Sequence, residues 1–314
     1  MARPARLPDW SRELLADKAA TLGLLGIVCI VGVAVFAPFL APYDPAAQDI
    51  LARLKPPAWA ARGSVDHLLG TDNLGRDVLS RLIYGSRITL MIATAVVLLA
   101  GTLGVVIGLV AGYLGGRADG LLMRLVDIQI SFPGILLILL IVSVVGPGVI
   151  TLIVVLAITN WMIYARVVRG IVLASRQSAY VEAAEVVGCS PARVIWRHIL
   201  PNLLAPLLTL GILEFTNIVL AEAAVSFLGL GVQPPATSWG LDVAGGRDYV
   251  FIAWWLVTFP GLCIVFTVLS INLFANWLRV TGDPQEREKR FARAASRRIP
   301  RTTATAPSPA ARKP

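Results

Sequence analysis

Residues 180 to 202 read Tyr180-Val-Glu-Ala-Ala-Glu-Val-Val-Gly-Cys-Ser-Pro-Ala-Arg-Val-Ile-Trp-Arg-His-Ile-Leu-Pro-Asn202. The stretch is charged and amphipathic, and it lies between two long apolar segments. It is too polar to cross a bilayer. Its small residues Ala183 and Ala184, the lone Gly188 and the closing Leu200-Pro201 predict a short helix, a sharp turn and a second helix returning to the membrane. Glu182 falls near the positively polarised N-terminal end of the first helix, where a carboxylate is favoured. Gly188 suits the left-handed position that ends a helix. Ser190-Pro191 restarts one, with serine expected to cap free N–H groups and proline taking a first-turn position that needs no donor. Ala183 and Ala184 leave the first helix thin on one side, a shape that fits a groove on another protein.

The rest of the chain sets this loop in a bilayer. Of 314 residues, 56% are hydrophobic and 15% charged, against roughly 25% charged in soluble domains. Apolar runs long enough to span a membrane fall at 19–40, 88–114, 128–145, 149–165, 203–225 and 251–273. The reading is therefore an all-α integral membrane protein with six transmembrane helices. The first run follows Arg3, Arg6, Arg12 and Lys18. It exceeds the apolar core of a signal peptide and lacks a clear cleavage site, so it is expected to be a retained helix.

With the N-terminus inside, 21 of the 28 basic residues fall on the cytoplasmic side and seven outside. Six of those seven lie in the long loop 41–87, whose charge weighs less on topology. Both termini are expected in the cytoplasm. The net charge of +9 is mostly this asymmetry plus a basic tail, and it calls for no nucleic-acid partner. Membrane lipids are the expected surroundings of the spans.

Along the chain, residues 1–18 form a basic lead, and 19–87 hold the first span and an outer loop. Residues 88–278 form a five-helix core carrying the inner loop 166–202, and 279–314 a basic tail expected to be disordered. In the outer loop Leu74, Val78, Leu79, Leu82 and Ile83 recur at helical spacing with Asp77 and Arg81 as an (i, i+4) pair. This predicts an amphipathic helix on the outer membrane surface over 73–84. Gly104, Gly108 and Gly112 admit close approach of another helix. Phe132-Pro133-Gly134 predicts a kink in the third span. The inner arginines Arg166, Arg169, Arg176, Arg193 and Arg197 suit anchoring at headgroups, Arg193 also lying on the second loop helix.

Glu182-Ala183-Ala184, then Gly188, then Ile199-Leu200-Pro201 resembles the EAA loop of ABC-importer permeases. His198 stands where the common pattern has isoleucine. Two more stretches agree. Leu69 to Arg81 with Tyr84-Gly-Ser-Arg87, and Ser226 to Pro235 with Ser238-Trp239-Gly240, resemble segments of the dipeptide/oligopeptide permeases of the C-subunit type. Leu241-Asp242-Val243 and Asn276-Trp277-Leu278-Arg279 depart from that family's usual sequence. The resemblance implies a type I importer (MetI-like) permease fold in a bacterial inner membrane. It also implies a second homologous permease, two cytoplasmic ATPase subunits and an extracytoplasmic binding protein, with alternating access. Glu182, Ala183, Ala184, Gly188, Arg193, Leu200 and Pro201 would couple to the ATPases. Dipeptides and oligopeptides are the implied cargo, with nickel chelates, glutathione and other small solutes carried by similar subunits.

Other residues weigh less. Glu214 and Glu222, with Asn217 between them, are ionisable or polar groups in the fifth span and candidates for the translocation path or a gate. They would also serve an ion-coupled secondary transporter or channel, the competing function. Asp72, Arg76, Asp77 and Arg81 are candidates for outer contact with cargo or the binding protein. Their spacing fails a calcium loop. Cys29, Cys189 and Cys263, with His67 and His198, have no metal-ligand spacing, so no metal or cofactor is expected. Lys18, Lys55, Lys289 and Lys313 lack a P-loop setting. The chain is expected to be no enzyme, and energy must come from a partner.

Overall fold

Helix α1 (Asp9–Ala16) meets α2 (Lys18–Val35) at Asp17, whose carboxylate accepts the Ala20 N–H and caps the longer helix. The computed structural model describes residues 9–282. Among them it contains α-helices and one isolated bridge, Thr71 with Asp77, but no strand. After a short α3 (Ala37–Leu40) an irregular outer segment leads to α4 (Val78–Leu114), which is 37 residues long. Then come α5 (Gly116–Ile130), α6 (Gly134–Val145) and α7 (Val149–Arg176). The inner loop holds α8 (Ala179–Val186) and α9 (Pro191–Val194), followed by α10 (Leu200–Phe227). An outer helix α11 (Trp239–Gly246) precedes α12 (Trp255–Gly282).

Among the described residues five helices are long and apolar enough to cross a bilayer, and the pair α5–α6 makes a sixth span only with an 85° bend. The third apolar run is thus a broken element and not a kinked rod. Pro133 offers no N–H to continue α5, and α5 carries Arg117, Asp119, Arg124 and Asp127 on a polar face that the apolar count skipped. Two ion pairs bind that face to α7. Arg169 grips Asp119 with two nitrogens, one at 2.6 Å, and Arg166 reaches Asp127 at 2.7 Å. Arg176 donates to the Tyr113 carbonyl at 2.8 Å. These three arginines therefore make intramolecular bonds in addition to any headgroup contact.

The amphipathic helix expected over 73–84 is not a separate element: its part from Val78 onward is the start of α4. Residues 73–77 form a turn, and from Val78 the pattern runs without interruption into the second span. Asp77 ends the turn as the α4 N-cap, its Oδ2 accepting from the Ser80 N–H at 2.8 Å, so it does not pair with Arg81. Likewise α7 continues eleven residues past the expected end of the fourth span at 165. The α12 helix takes in Arg279 to Gly282, where the tail was expected to begin. The remainder of that tail lies outside the described residues.

The core lies where α4, α6, α7 and α10 meet, with Ile92, Val96, Val155, Leu156, Trp161 and Ile218 buried. Here α4 and α7 approach backbone to backbone. A Cβ on Gly104 would come within 2.4 Å of the Trp161 carbonyl oxygen, and one on Gly108 within 2.6 Å of the Ala165 carbonyl oxygen. The glycine stripe thus serves contact inside the chain. Lipid supplies no hydrophobic drive between helices, so this dispersion-rich contact is what holds the pair. On the other flank Gly23 and Gly26 of α2 lie against Ser270 of α12.

Candidate functional site

At the C-terminal ends of α4 and α7, the inner loop folds into two short helices seated by apolar side chains. Val181 of α8 and Val194 of α9 are fully buried with Val168 and Val172 of α7 and Ile199 and Leu203 beyond. Helix α8 ends in two bonds that define a Schellman closure: Gly188 N–H to Glu185 O at 2.9 Å and Cys189 N–H to Ala184 O at 3.0 Å. Gly188 has φ +85°, the left-handed conformation expected of it. Ser190 precedes Pro191 in extended backbone, but its hydroxyl makes no capping bond to α9. The serine cap expected from the sequence is therefore missing, and only the proline half of that signal operates.

The seating divides the motif. Val181 and Ala184 face the core, Ala184 half-buried, while Glu182, Ala183 and Gly188 are exposed. Beside them Val186 is 88% and Val187 83% exposed. Arg193 and Pro201 are exposed and Leu200 half-buried. Between α9 and α10 the chain widens into a π turn, Ile195–Ile199, closed by Leu200 N–H to Ile195 O. That turn explains how Pro201 sits inside a continuous helix. A regular turn would drive its ring against the carbonyl four residues back, and the extra residue relieves the crowding. The helix therefore runs from Pro191 to Phe227 without a break.

At the other end of α4, about 55 Å away at 1.5 Å per residue, the outer segment is a network of paired charges. Asp72 Oδ2 accepts from Arg76 Nε at 2.6 Å, and its Oδ1 from the Leu74 and Arg76 N–H groups at 2.8 and 2.9 Å. Arg81 donates through two nitrogens to Asp242 of α11, Nε at 2.9 Å. Asp77 Oδ1 meets His67 Nδ1 at 3.0 Å. Asp72, Asp77 and Arg81 are buried. Burial pushes the Asp242 carboxyl up from the ordinary carboxylate range, with the Arg81 guanidinium pulling the other way. Arg76 borders a cavity of about 290 Å³ that Asp72, Arg81 and Asp242 also line. The four outer candidates are brought together, and their charges are already matched within the chain. Asp242, which sequence reading noted only as a departure from a family pattern, is the partner it missed.

Glu214, Asn217 and Glu222 share α10 but not one site. Glu214 is buried near Tyr164, with Asn217 Nδ2 at 3.4 Å from its Oε1 and Asn217 itself exposed. Glu222 is fully buried two turns further out, its Oε1 accepting from Ser226 Oγ at 2.7 Å and Ser238 Oγ at 2.8 Å. Neither serine was singled out from sequence, although both lie in the stretches quoted for the resemblance. Among the described residues no group of three or more His, Cys, Asp or Glu side chains is placed to hold a metal ion.

Comparison with known proteins gives one answer. The family described as "Binding-protein-dependent transport system inner membrane component" matches residues 104–287, and "N-terminal TM domain of oligopeptide transport permease C" matches residues 8–57. The di/tripeptide transport system permease protein DppC of Pseudomonas aeruginosa is 42% identical over 90% of this chain and 93% of that one. The dipeptide transport system permease protein DppC of Escherichia coli is 43% identical over 86% and 90%. The probable D,D-dipeptide permease DdpC of Escherichia coli is 39% identical over 82% and 85%. The MetNI methionine ABC transporter, solved in inward facing conformations, aligns with 63% of this chain and 93% of its own at a TM-score of 0.46 and 22% identity. With its multi-pass bundle of apolar helices and more than half of its length matched by the family model, this chain belongs to the family of inner-membrane permease components of binding-protein-dependent ABC transport systems.

Proposed function

We propose that this permease forms one half of a translocation pore for dipeptides and short oligopeptides, driven by ATP hydrolysis in separate subunits. Both termini and the α8–α9 loop face the cytoplasm, and the α11 side faces outward. A second, homologous permease completes the pore, two ATPase subunits dock on the loop, and an extracytoplasmic binding protein delivers cargo to the outer side. Coupling is carried by Glu182, Ala183, Gly188 and Arg193 at the docking face. Ala184 and Leu200 belong to the same coupling set and seat that face on the bundle, and Pro201 belongs to it at the turn into α10. The supporting names are those of the peptide-transporting relatives.

The observation that carries the reading is the inner loop's exposed ridge. Its Val186 and Val187 are left almost bare on an element seated through Val181 and Val194, which suits insertion into a groove on a soluble partner. Lipid does not reach such a ridge if it projects beyond the bilayer. Ala183→Trp adds bulk on this exposed side without disturbing the buried Val181. In proteoliposomes with the second permease, the ATPases and the binding protein, the variant is expected to abolish ATP-dependent dipeptide uptake while inserting normally. Uptake at the wild-type rate with the ATPases bound would overturn the docking role. Uptake driven by an ion gradient without ATP would instead favour the ion-coupled reading of Glu214 and Glu222.

A further inference from the structure

Helix α10 connects the two ends of the molecule. Its inner end is continuous with α9 of the coupling loop, and its outer end carries Glu222. One oxygen of that carboxyl joins three pieces of chain. Ser226 Oγ, one turn on in α10, donates to it and also accepts the Val232 N–H at 3.2 Å from the outer loop. Ser238 Oγ donates to it while accepting the Leu241 N–H at 3.2 Å as the α11 N-cap. The helix α11 so anchored lies close against α10. A Cβ on Gly240 would meet the Ala223 Cα at 2.6 Å. It is tied to α4 as well, by Trp239 Nε1 to Leu82 O at 2.9 Å and by Asp242 to Arg81.

The hydroxyl of Thr89 on α4 lies beside the same carboxyl, although it makes no hydrogen bond of ordinary geometry to the second oxygen. The carboxyl is thus held by α10 itself through Ser226 and by α11 through Ser238, with Thr89 of α4 beside it.

We propose that Glu222 is a positioning residue that clamps the outer helix α11 to α10, so that displacement of the coupling loop reaches the outer side of the pore as movement of α11. The proposal rests on the ATP-driven reading above. The clamp needs an acceptor at Oε1 and the length of the side chain, and it does not need the charge to move. Glu222→Gln therefore keeps it, and Glu222→Ala removes it.

The test uses the complete transporter in proteoliposomes and reads peptide imported per ATP hydrolysed. For Glu222→Ala this ratio is expected to fall about tenfold, the scale of losing one or two buried hydrogen bonds. Glu222→Gln is expected to stay near wild type. Ser238→Ala supplies the same break from the other partner, and the double variant Glu222→Ala/Ser238→Ala is expected to be no worse than the poorer single one, as for two halves of one contact. A wild-type ratio in Glu222→Ala, or additive losses in the double variant, would overturn the clamp. Loss in Glu222→Gln equal to that in Glu222→Ala would overturn it in favour of a role for the charge. Should Glu222→Ala not assemble, Ser238→Ala with an unchanged ratio refutes the clamp alone. Absence of ATP-dependent uptake in the wild-type complex would refute the importer reading instead.

Discussion

The two ends of α4 are built on opposite plans. At the outer end, charges are buried and answered within the chain: Arg81 by Asp242, Asp72 by Arg76, Asp77 by His67 and the α4 backbone. At the inner end the polar and apolar groups of α8 are mostly exposed, and Val181, Val194 and their neighbours hold the loop in place, helped by the bond from Asn202 to the Tyr180 hydroxyl at 3.0 Å. A surface that satisfies itself keeps its shape alone. A surface that leaves Val186 and Val187 bare is finished by something else. Substitutions at the outer end should therefore register as stability, and those at the inner end as transport.

The largest effect is expected from Asp242→Ala. It takes from the buried Arg81 guanidinium its closest carboxylate, leaving Asp72 at 3.8 Å and the Pro45 carbonyl at 3.4 Å, so the cost falls at or below about 3–5 kcal/mol, that of breaking an isolated buried pair. Denaturant or thermal unfolding in detergent measures it, and a change too small to detect would erase the contrast between the ends. Next is Gly188→Val. A side chain at φ +85° costs about 1–2 kcal/mol, spent in distorting the Schellman closure, while nothing lies near enough to clash. Unfolding should shift modestly while uptake is lost, and a variant that transports normally would place the docking face elsewhere. The smallest is Ser190→Ala. Its hydroxyl makes no cap, so unfolding should move by less than about 0.5 kcal/mol. A drop typical of a lost cap would show that the serine bonds to α9 after all.

Much of this was legible beforehand, for physical reasons that can be named. The inner loop announced itself because a glycine at a helix end and a Ser-Pro restart are local signals, decided within a few residues. The glycine stripe of α4 was readable as a close-contact face, although spacing does not say which helix comes near. Continuation was harder to read. The apolar spacing before α4 fits a separate surface helix and a membrane helix that begins early, and Asp77 decides between them only by its bond to the Ser80 N–H. The charged α5 escaped a reading based on apolar runs because its polar face is neutralised by arginines some 40 to 50 residues away. Glu222 was visible as an ionisable group out of place. Its serine partners were not, since hydroxyls in a membrane chain carry no distance information.

The absent side chains at 104, 108 and 112 have a mechanical corollary. With main chain resting on main chain, α4 and α7 have no layer of soft side chains through which one might slip past the other, so they behave as a single spar. Any bending the protein needs must then be found where the rods are interrupted, at the 85° elbow beside Pro133 and at the widened turn before Pro201.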